Sequence, residues 1–184
     1  RRQAVIDAGV DIAAGIDPAE TIELLANLPQ PVVTAVHGHC YTGALELALA
    51  GDLIVAAESA KFADTHARWA LVPVWGMSQR LPRRVGMAKA QEMTYTARTF
   101  SGREAEAMGL VNWCVPDAGF DAALATTARS ILANSWYSLR ANKRLYRETE
   151  GLPLRAGLSH EIHRSEGRGP DMAERIAAFM NKTS

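Results

Sequence analysis

Residues 31–52, PVVTAVHGHCYTGALELALAGD, decide how the rest of the chain is read. Pro31 leads into Val32-Val33-Thr34-Ala35-Val36, an apolar, β-rich run with the length of a short buried strand. His37 to Thr42 reads as a polar, glycine-bearing loop, and Gly43-Ala44-Leu45-Glu46-Leu47-Ala48-Leu49-Ala50 has the small and straight-chain residues of a helix. Gly51-Asp52 stops that helix, and Leu53-Ile54-Val55-Ala56-Ala57 predicts a second strand. The first turn of a helix leaves backbone N–H groups without partners, and Gly43 has no side chain to keep a ligand away from them. A developing negative oxygen is stabilised by such donors. Glu46 follows one turn later, a carboxylate in an otherwise apolar helix, where it is costly without a partner or a task. The plainer alternative is a capped helix with Glu46 turned to solvent.

The pattern V-x-G-H-x-x-x-G-x-x-E-L-A-L-A-x-D-L, from Val36 to Leu53, resembles the signature of the enoyl-CoA hydratase/isomerase (crotonase) superfamily. The resemblance continues through Ala60-Lys61-Phe62-Ala63, through Leu71-Val72-Pro73-x-Trp75-Gly76-x-Ser78-Gln79-Arg80-Leu81, and through Arg84-Val85-Gly86. It resumes at Glu104-Ala105-x-x-Met108-Gly109-Leu110-Val111-Asn112. It covers most of the chain from Leu28 to Pro116 and, more loosely, the C-terminal third. It implies an α/β fold, a spiral of ββα units followed by a helical trimerisation region. Residues 1–116 would be the later part of the spiral core and residues 117–184 the helical oligomerisation region. Only four segments read as strands: Val32–Val36, Leu53–Ala57, the surroundings of Phe62, and Val111–Val115. The early turns of such a spiral have no counterpart here, so the 184 residues are expected to be a fragment or a processed form.

The resemblance also implies the chemistry. The family binds an acyl-CoA thioester, and two backbone amides hold its carbonyl oxygen in an enolate-like transition state. Gly43 matches the second of these donors; the first is expected upstream of residue 1. Glu46 matches the first of two glutamates that manage water and proton in the hydratases. The second should fall at position 66, where this chain has His66. Imidazole gives and takes protons near neutrality, and Asp64 and Arg68 flank it, so His66 either replaces the missing glutamate or is a wall residue. Trp75 and Gly76 are expected to line the acyl pocket, with Trp75 narrowing it or merely packing as an aromatic. Phe179 and Lys182 match positions that reach a neighbouring subunit's CoA in relatives. The expected activity is hydration of a 2-enoyl-CoA, with isomerisation, another acyl-CoA reaction or non-catalytic acyl-CoA binding as alternatives. No separate cofactor is expected, coenzyme A being part of the substrate; a homotrimer or a dimer of trimers is the expected assembly.

Composition agrees with an ordinary globular chain: 48% hydrophobic, 22% charged, with 20 basic and 20 acidic residues. A balance of zero offers no footprint for nucleic acid. Cys40 and Cys114 form no CxxC pair and fit unpaired thiols in a reducing compartment, so the cytoplasm is the expected location. His37-Gly38-His39-Cys40 contains zinc-ligand types, yet a strand-to-helix turn accounts for the stretch and no metal is expected. His160 and His163, three apart on a helix, read as a polar face.

The remaining elements follow from local signals. Arg1–Ala14 predicts a helix, and Asp17-Pro18 caps another that runs to about Asn27. Residues 70–76 are apolar and turn-rich, like the wall of a pocket. Met77–Val85 and Met87–Ala97 predict two helices broken at Gly86. Ser101 with Glu104 forms a capping box for the next helix. Beyond Gly119, helices are predicted from Phe120, over Trp136–Glu148, over Leu154–Glu166 and over Met172–Asn181.

Overall fold

The structure, a computed structural model, describes residues 17–182. The helix expected over Arg1–Ala14 lies outside the described residues. The chain divides into two compact units, one ending at Phe120 and one formed by Pro29–Pro31 with Asp121 onward.

The first unit opens with α1, Pro18–Ala26. Asp17 caps it, its side chain accepting the Ala19 N–H at 2.9 Å, and proline supplies the first helical position. Strands β1 (Val33–Val36) and β2 (His39–Tyr41) follow, then helix α2 (Gly43–Ala48). Next come β3 (Leu53–Ala57), β4 (Lys61–Ala63) and a 3-10 turn at His66–Trp69. Helices α3 (Met77–Val85) and α4 (Met87–Thr96), strand β5 (Phe100–Ser101), helix α5 (Gly102–Ala107) and strand β6 (Trp113–Val115) complete it.

The strands form two three-stranded sheets, ordered β1-β3-β6 and β2-β4-β5. β1 and β3 are parallel with Val33 opposite Leu53, and β2 and β4 are parallel with His39 opposite Lys61. The first two turns of the chain, β1-β2 and β3-β4, each give one strand to each sheet before a helix, which is the repeat of a ββα spiral, while β5 and β6 stand on either side of α5. One apolar core joins the layers: Leu45, Ile54, Phe62, Leu81, Met93 and Phe100 are each at most 1% exposed. Every such side chain contributes about 1.5–3 kcal/mol relative to exposure in water.

Two strands differ from the sequence reading. His39–Tyr41, expected as loop, is β2, and Phe100–Ser101 pairs antiparallel with β4 as β5. Both are short and held by backbone pairing rather than by an apolar run, so neither carries a compositional signal. Helix α2 also ends at Ala48, earlier than the expected Ala50. The amides of Ala50 and Gly51 reach back three residues, to Leu47 and Ala48, and so tighten the chain out of the α ladder. The break at Gly86 and the capping box at Ser101 and Glu104 stand as read.

The second unit is helical: α6 (Phe120–Leu132), whose first residue closes the first unit, α7 (Trp136–Thr149), α8 (Leu154–Arg164) and α9 (Met172–Lys182). Ser135 caps α7 and donates its hydroxyl to Asp171 at 2.8 Å, tying the start of α7 to the start of α9. Lys143 Nζ donates to the Gln30 carbonyl at 2.8 Å, which holds Pro29–Pro31 in this unit. His160 lies 2.7 Å from a Glu148 oxygen and His163 2.6 Å from the Ser159 carbonyl, so both serve the polar faces of α7 and α8. Among the described residues no helix is long and apolar enough to cross a membrane.

Candidate active site

Glu46 is 2% exposed, which removes the solvent-facing alternative. Its helix, α2, places it inward on the same turn as Leu45. Its Oε1 accepts two backbone N–H groups, from Trp75 at 3.0 Å and from Met77 at 3.1 Å. One donor comes from the irregular segment before α3 and the other from the first residue of that helix, and together they offset the cost of burying the carboxylate. They occupy one oxygen and leave Oε2 directed at His66 Nε2, 3.7 Å away.

His66 is 6% exposed and opens the 3-10 turn just beyond β4. Asp64, fully buried, shapes that turn. Its Oδ1 accepts the His66 backbone N–H at 3.2 Å and lies 2.6 Å from His66 Nδ1. Its Oδ2 accepts the Thr94 hydroxyl of α4 at 2.8 Å. A side-chain hydrogen bond between Thr42 and Thr65 fastens the start of α2 to the segment carrying His66. The result is a line Thr94–Asp64–His66–Glu46, drawn from α4, the end of β4, the 3-10 turn and α2. His66 is therefore not a surface histidine, and the sequence reading missed Thr94 altogether. Asp-x-His was visible as a pattern; Thr94 is 30 residues from Asp64 and carried no signal.

Gly43 begins α2, as expected. Its amide has no hydrogen-bond partner among the described residues, and Thr42 before it adopts φ 52°. Trp75 lies against it: a β-carbon built on Gly43 would stand 2.6 Å from Trp75 Cζ3 and 3.2 Å from Cε3. Trp75 also packs against the cluster of Ile22, Ala26 and Ala50, so it is a wall between α1 and the start of α2. Gly76 takes φ 105°, open to glycine and strained for other residues, and turns the chain into α3. Arg80 Nη1 donates to the Trp75 carbonyl at 2.9 Å, and its guanidinium also pairs with Glu23 of α1. The wall is thus fixed by Glu46 through the Trp75 amide and by Arg80 through the Trp75 carbonyl.

The structure brings Gly43, Glu46, His66, Trp75 and Gly76 together in the first unit. Phe179 and Lys182 belong to α9 in the second unit, where Phe179 is exposed. The His37–Cys40 stretch does not gather its ligand types. His39 is exposed while its neighbour Cys40 is buried on the opposite side of β2, and burial pushes the Cys40 thiol up to about 12. His37 instead meets the Phe120 ring edge-on. Among the described residues no three His, Cys, Asp or Glu side chains are placed to hold a metal ion.

Residues 16–183 match the family model described as enoyl-CoA hydratase/isomerase. The chain is 39% identical over 165 residues to the mitochondrial methylglutaconyl-CoA hydratase of Rattus norvegicus, covering 86% of this chain and 52% of that protein. It is 32% identical over 184 residues to the 1,2-epoxyphenylacetyl-CoA isomerase of Escherichia coli, covering 97% of this chain and 68% of the relative. Among solved structures, the enoyl-CoA hydratase from Bacillus anthracis superposes with a TM-score of 0.87 at 33% identity, covering 94% of this chain and 72% of that one. The chain spans about half the length of the methylglutaconyl-CoA hydratases that it matches.

Proposed function

Because the chain belongs to the enoyl-CoA hydratase/isomerase family, we propose that it works as an acyl-CoA hydratase, adding water across the double bond of a 2-enoyl-CoA thioester. One observation carries this reading: Glu46 Oε2 and His66 Nε2 face one another across 3.7 Å. That gap is too long for a good hydrogen bond and short enough for one water to touch both atoms. The thioester carbonyl would lie at the Gly43 amide. As water attacks the β-carbon, charge moves to that oxygen, and one such backbone donor is worth about 3–4 kcal/mol of barrier. Glu46 and His66 then stand where two carboxylates handle the water and its proton in the usual hydratase pattern. The indole of Trp75 limits the acyl group beside Gly43.

Coenzyme A would arrive with the substrate, and no further cofactor is needed for this chemistry. Phe179 and Lys182 are assigned to the CoA of a neighbouring subunit in a homotrimer or dimer of trimers. The exposed apolar side chains of the second unit, such as Leu154, Ile162 and Ile176, support such an assembly. A reducing compartment, the cytoplasm, fits the two buried free thiols.

An isomerase is the second reading. It is favoured by the similarity to the E. coli isomerase and by the presence of one glutamate where the hydratases have two. The test is loss of the conjugated enoyl thioester absorbance on incubating the purified protein with short and long 2-enoyl-CoAs. Water-dependent turnover with a 3-hydroxyacyl-CoA product is expected. A protein that moves the double bond of a 3-enoyl-CoA and hydrates none of the 2-enoyl series would replace the first reading by the second.

A further inference from the structure

The Asp64 carboxylate has one oxygen on His66 and the other on Thr94, and it is fully buried. A carboxylate only accepts, so the 2.6 Å contact with Nδ1 requires the proton on that nitrogen. Neutral imidazole carries one N–H. Nε2, the atom 3.7 Å from Glu46 Oε2, is then left with its lone pair. The backbone N–H of His66 donates to the same Asp64 oxygen at 3.2 Å, and the Thr94 hydroxyl fixes the other at 2.8 Å, so the carboxylate has little freedom to turn.

We propose that Asp64, held by Thr94, is a positioning residue that sets the tautomer of His66 and makes Nε2 the proton acceptor of the site. This inference rests on the hydratase reading and divides the labour within it. Water loses a proton to Nε2 as its oxygen forms the C–O bond at the β-carbon. The π pair of the double bond moves through the α-carbon to the thioester oxygen. When that oxygen returns its electrons, the α-carbon takes the same proton from Nε2, and the imidazole is neutral again. Glu46 carries no net proton: Oε2 accepts the second hydrogen of the water and orients the attack. One buried histidine thus moves the proton that the usual pattern passes between two glutamates.

The direct measurement is the side-chain 15N spectrum of His66 in the ligand-free protein. The Nδ1–H tautomer is expected, with Nε2 unprotonated; an Nε2–H tautomer overturns the assignment whatever the activity. The second arm is a double-mutant cycle. Asp64→Ala is expected to lower kcat on the order of 10²–10³-fold with little change in KM, and to cost nothing further in a His66→Ala background. Equal losses in both backgrounds would mean that Asp64 only supports the fold. Thr94→Val leaves His66 untouched and should lower kcat by about tenfold through Asp64; unchanged kcat together with an unchanged His66 spectrum removes Thr94 from the line. A wild-type protein inert towards every enoyl-CoA overturns the hydratase reading and is distinguished from failure of the Asp64 assignment by the spectrum.

Discussion

Trp75 lies on Gly43 so closely that a β-carbon at position 43 would be 2.6 Å from the indole. The two residues are 32 positions apart in sequence, and the contact joins the start of α2 to the irregular segment before α3. Gly43→Ala must push the ring aside or move α2, and overpacking of this kind costs about 1–3 kcal/mol. The amide would remain, but its neighbours would shift, so kcat/KM should fall with stability. Trp75→Gly in the same background should recover the stability, because the two changes share one contact. Denaturant midpoints for the two single variants and the double variant check this; a Gly43→Ala protein with wild-type midpoint and activity would show that the ring is free to move.

On the proposed function, Trp75 should limit how much acyl group fits. Truncation to alanine removes the wall beside Gly43 while leaving the backbone amide that Glu46 Oε1 requires. Trp75 is half-buried against the cluster of Ile22, Ala26 and Ala50, so the loss of stability should be about 2 kcal/mol, below that of a fully buried tryptophan. The selective effect should be on substrate: kcat/KM for long or branched enoyl-CoAs rises relative to the shortest. A uniform change across chain lengths would make Trp75 a packing residue only.

Glu104 gives a prediction in pH. The Ser101 backbone N–H, the Arg98 guanidinium and the Ser101 hydroxyl hold its carboxyl down to about 2. Its ordinary value is about 4.3. A depressed folded value means that the stabilisation is present above the ordinary value and fades as pH falls from there towards about 2. The side chain is half exposed, so its worth is discounted to about 1 kcal/mol, the usual range of a cap. Glu104→Gln should therefore melt below wild type at pH 7, and the gap should close below about pH 4. A gap that is constant with pH would mean that the box acts through shape alone.

Much of this was legible in the sequence for a physical reason. β3, the Gly86 break and the Ser101 cap are written in local composition: a run of branched apolar residues, a helix breaker, a capping pair. β2 and β5 were not, because two or three residues held by neighbouring strands need no β-forming sequence of their own. Gly43 and Glu46 were found through their motif. The partners of Glu46 are backbone amides of Trp75 and Met77, which any residue except proline supplies, so no side-chain pattern announces them. Asp64 stood two residues before His66 in sequence, but its service to Nδ1 depends on a 3-10 turn and on Thr94, brought near only by the packing of α4.

The Glu46 backbone contacts make Glu46→Gln more than the loss of a charge. Trp75 N–H and Met77 N–H both need an acceptor at the position of Oε1. The glutamine carbonyl must take that place, since an amide NH₂ there would face two donors at the cost of buried, unpaired groups. The NH₂ group is then forced into the place of Oε2, facing His66 Nε2 across the 3.7 Å gap. It offers the water a donor where an acceptor is needed and can itself donate to Nε2. Turnover should fall about 10²–10⁴-fold with CoA affinity nearly unchanged. His66→Ala should cost a comparable factor, and the double variant should be little worse than either, since both serve one proton transfer. Glu46→Asp is the control: it keeps the charge but retracts it by a methylene, so it should be partly active. Steady-state hydration by these variants, with CoA binding measured alongside, decides the matter. Wild-type turnover in Glu46→Gln would take Glu46 out of the chemistry, whereas loss in that variant with His66→Ala fully active would leave a single-carboxylate reaction such as isomerisation.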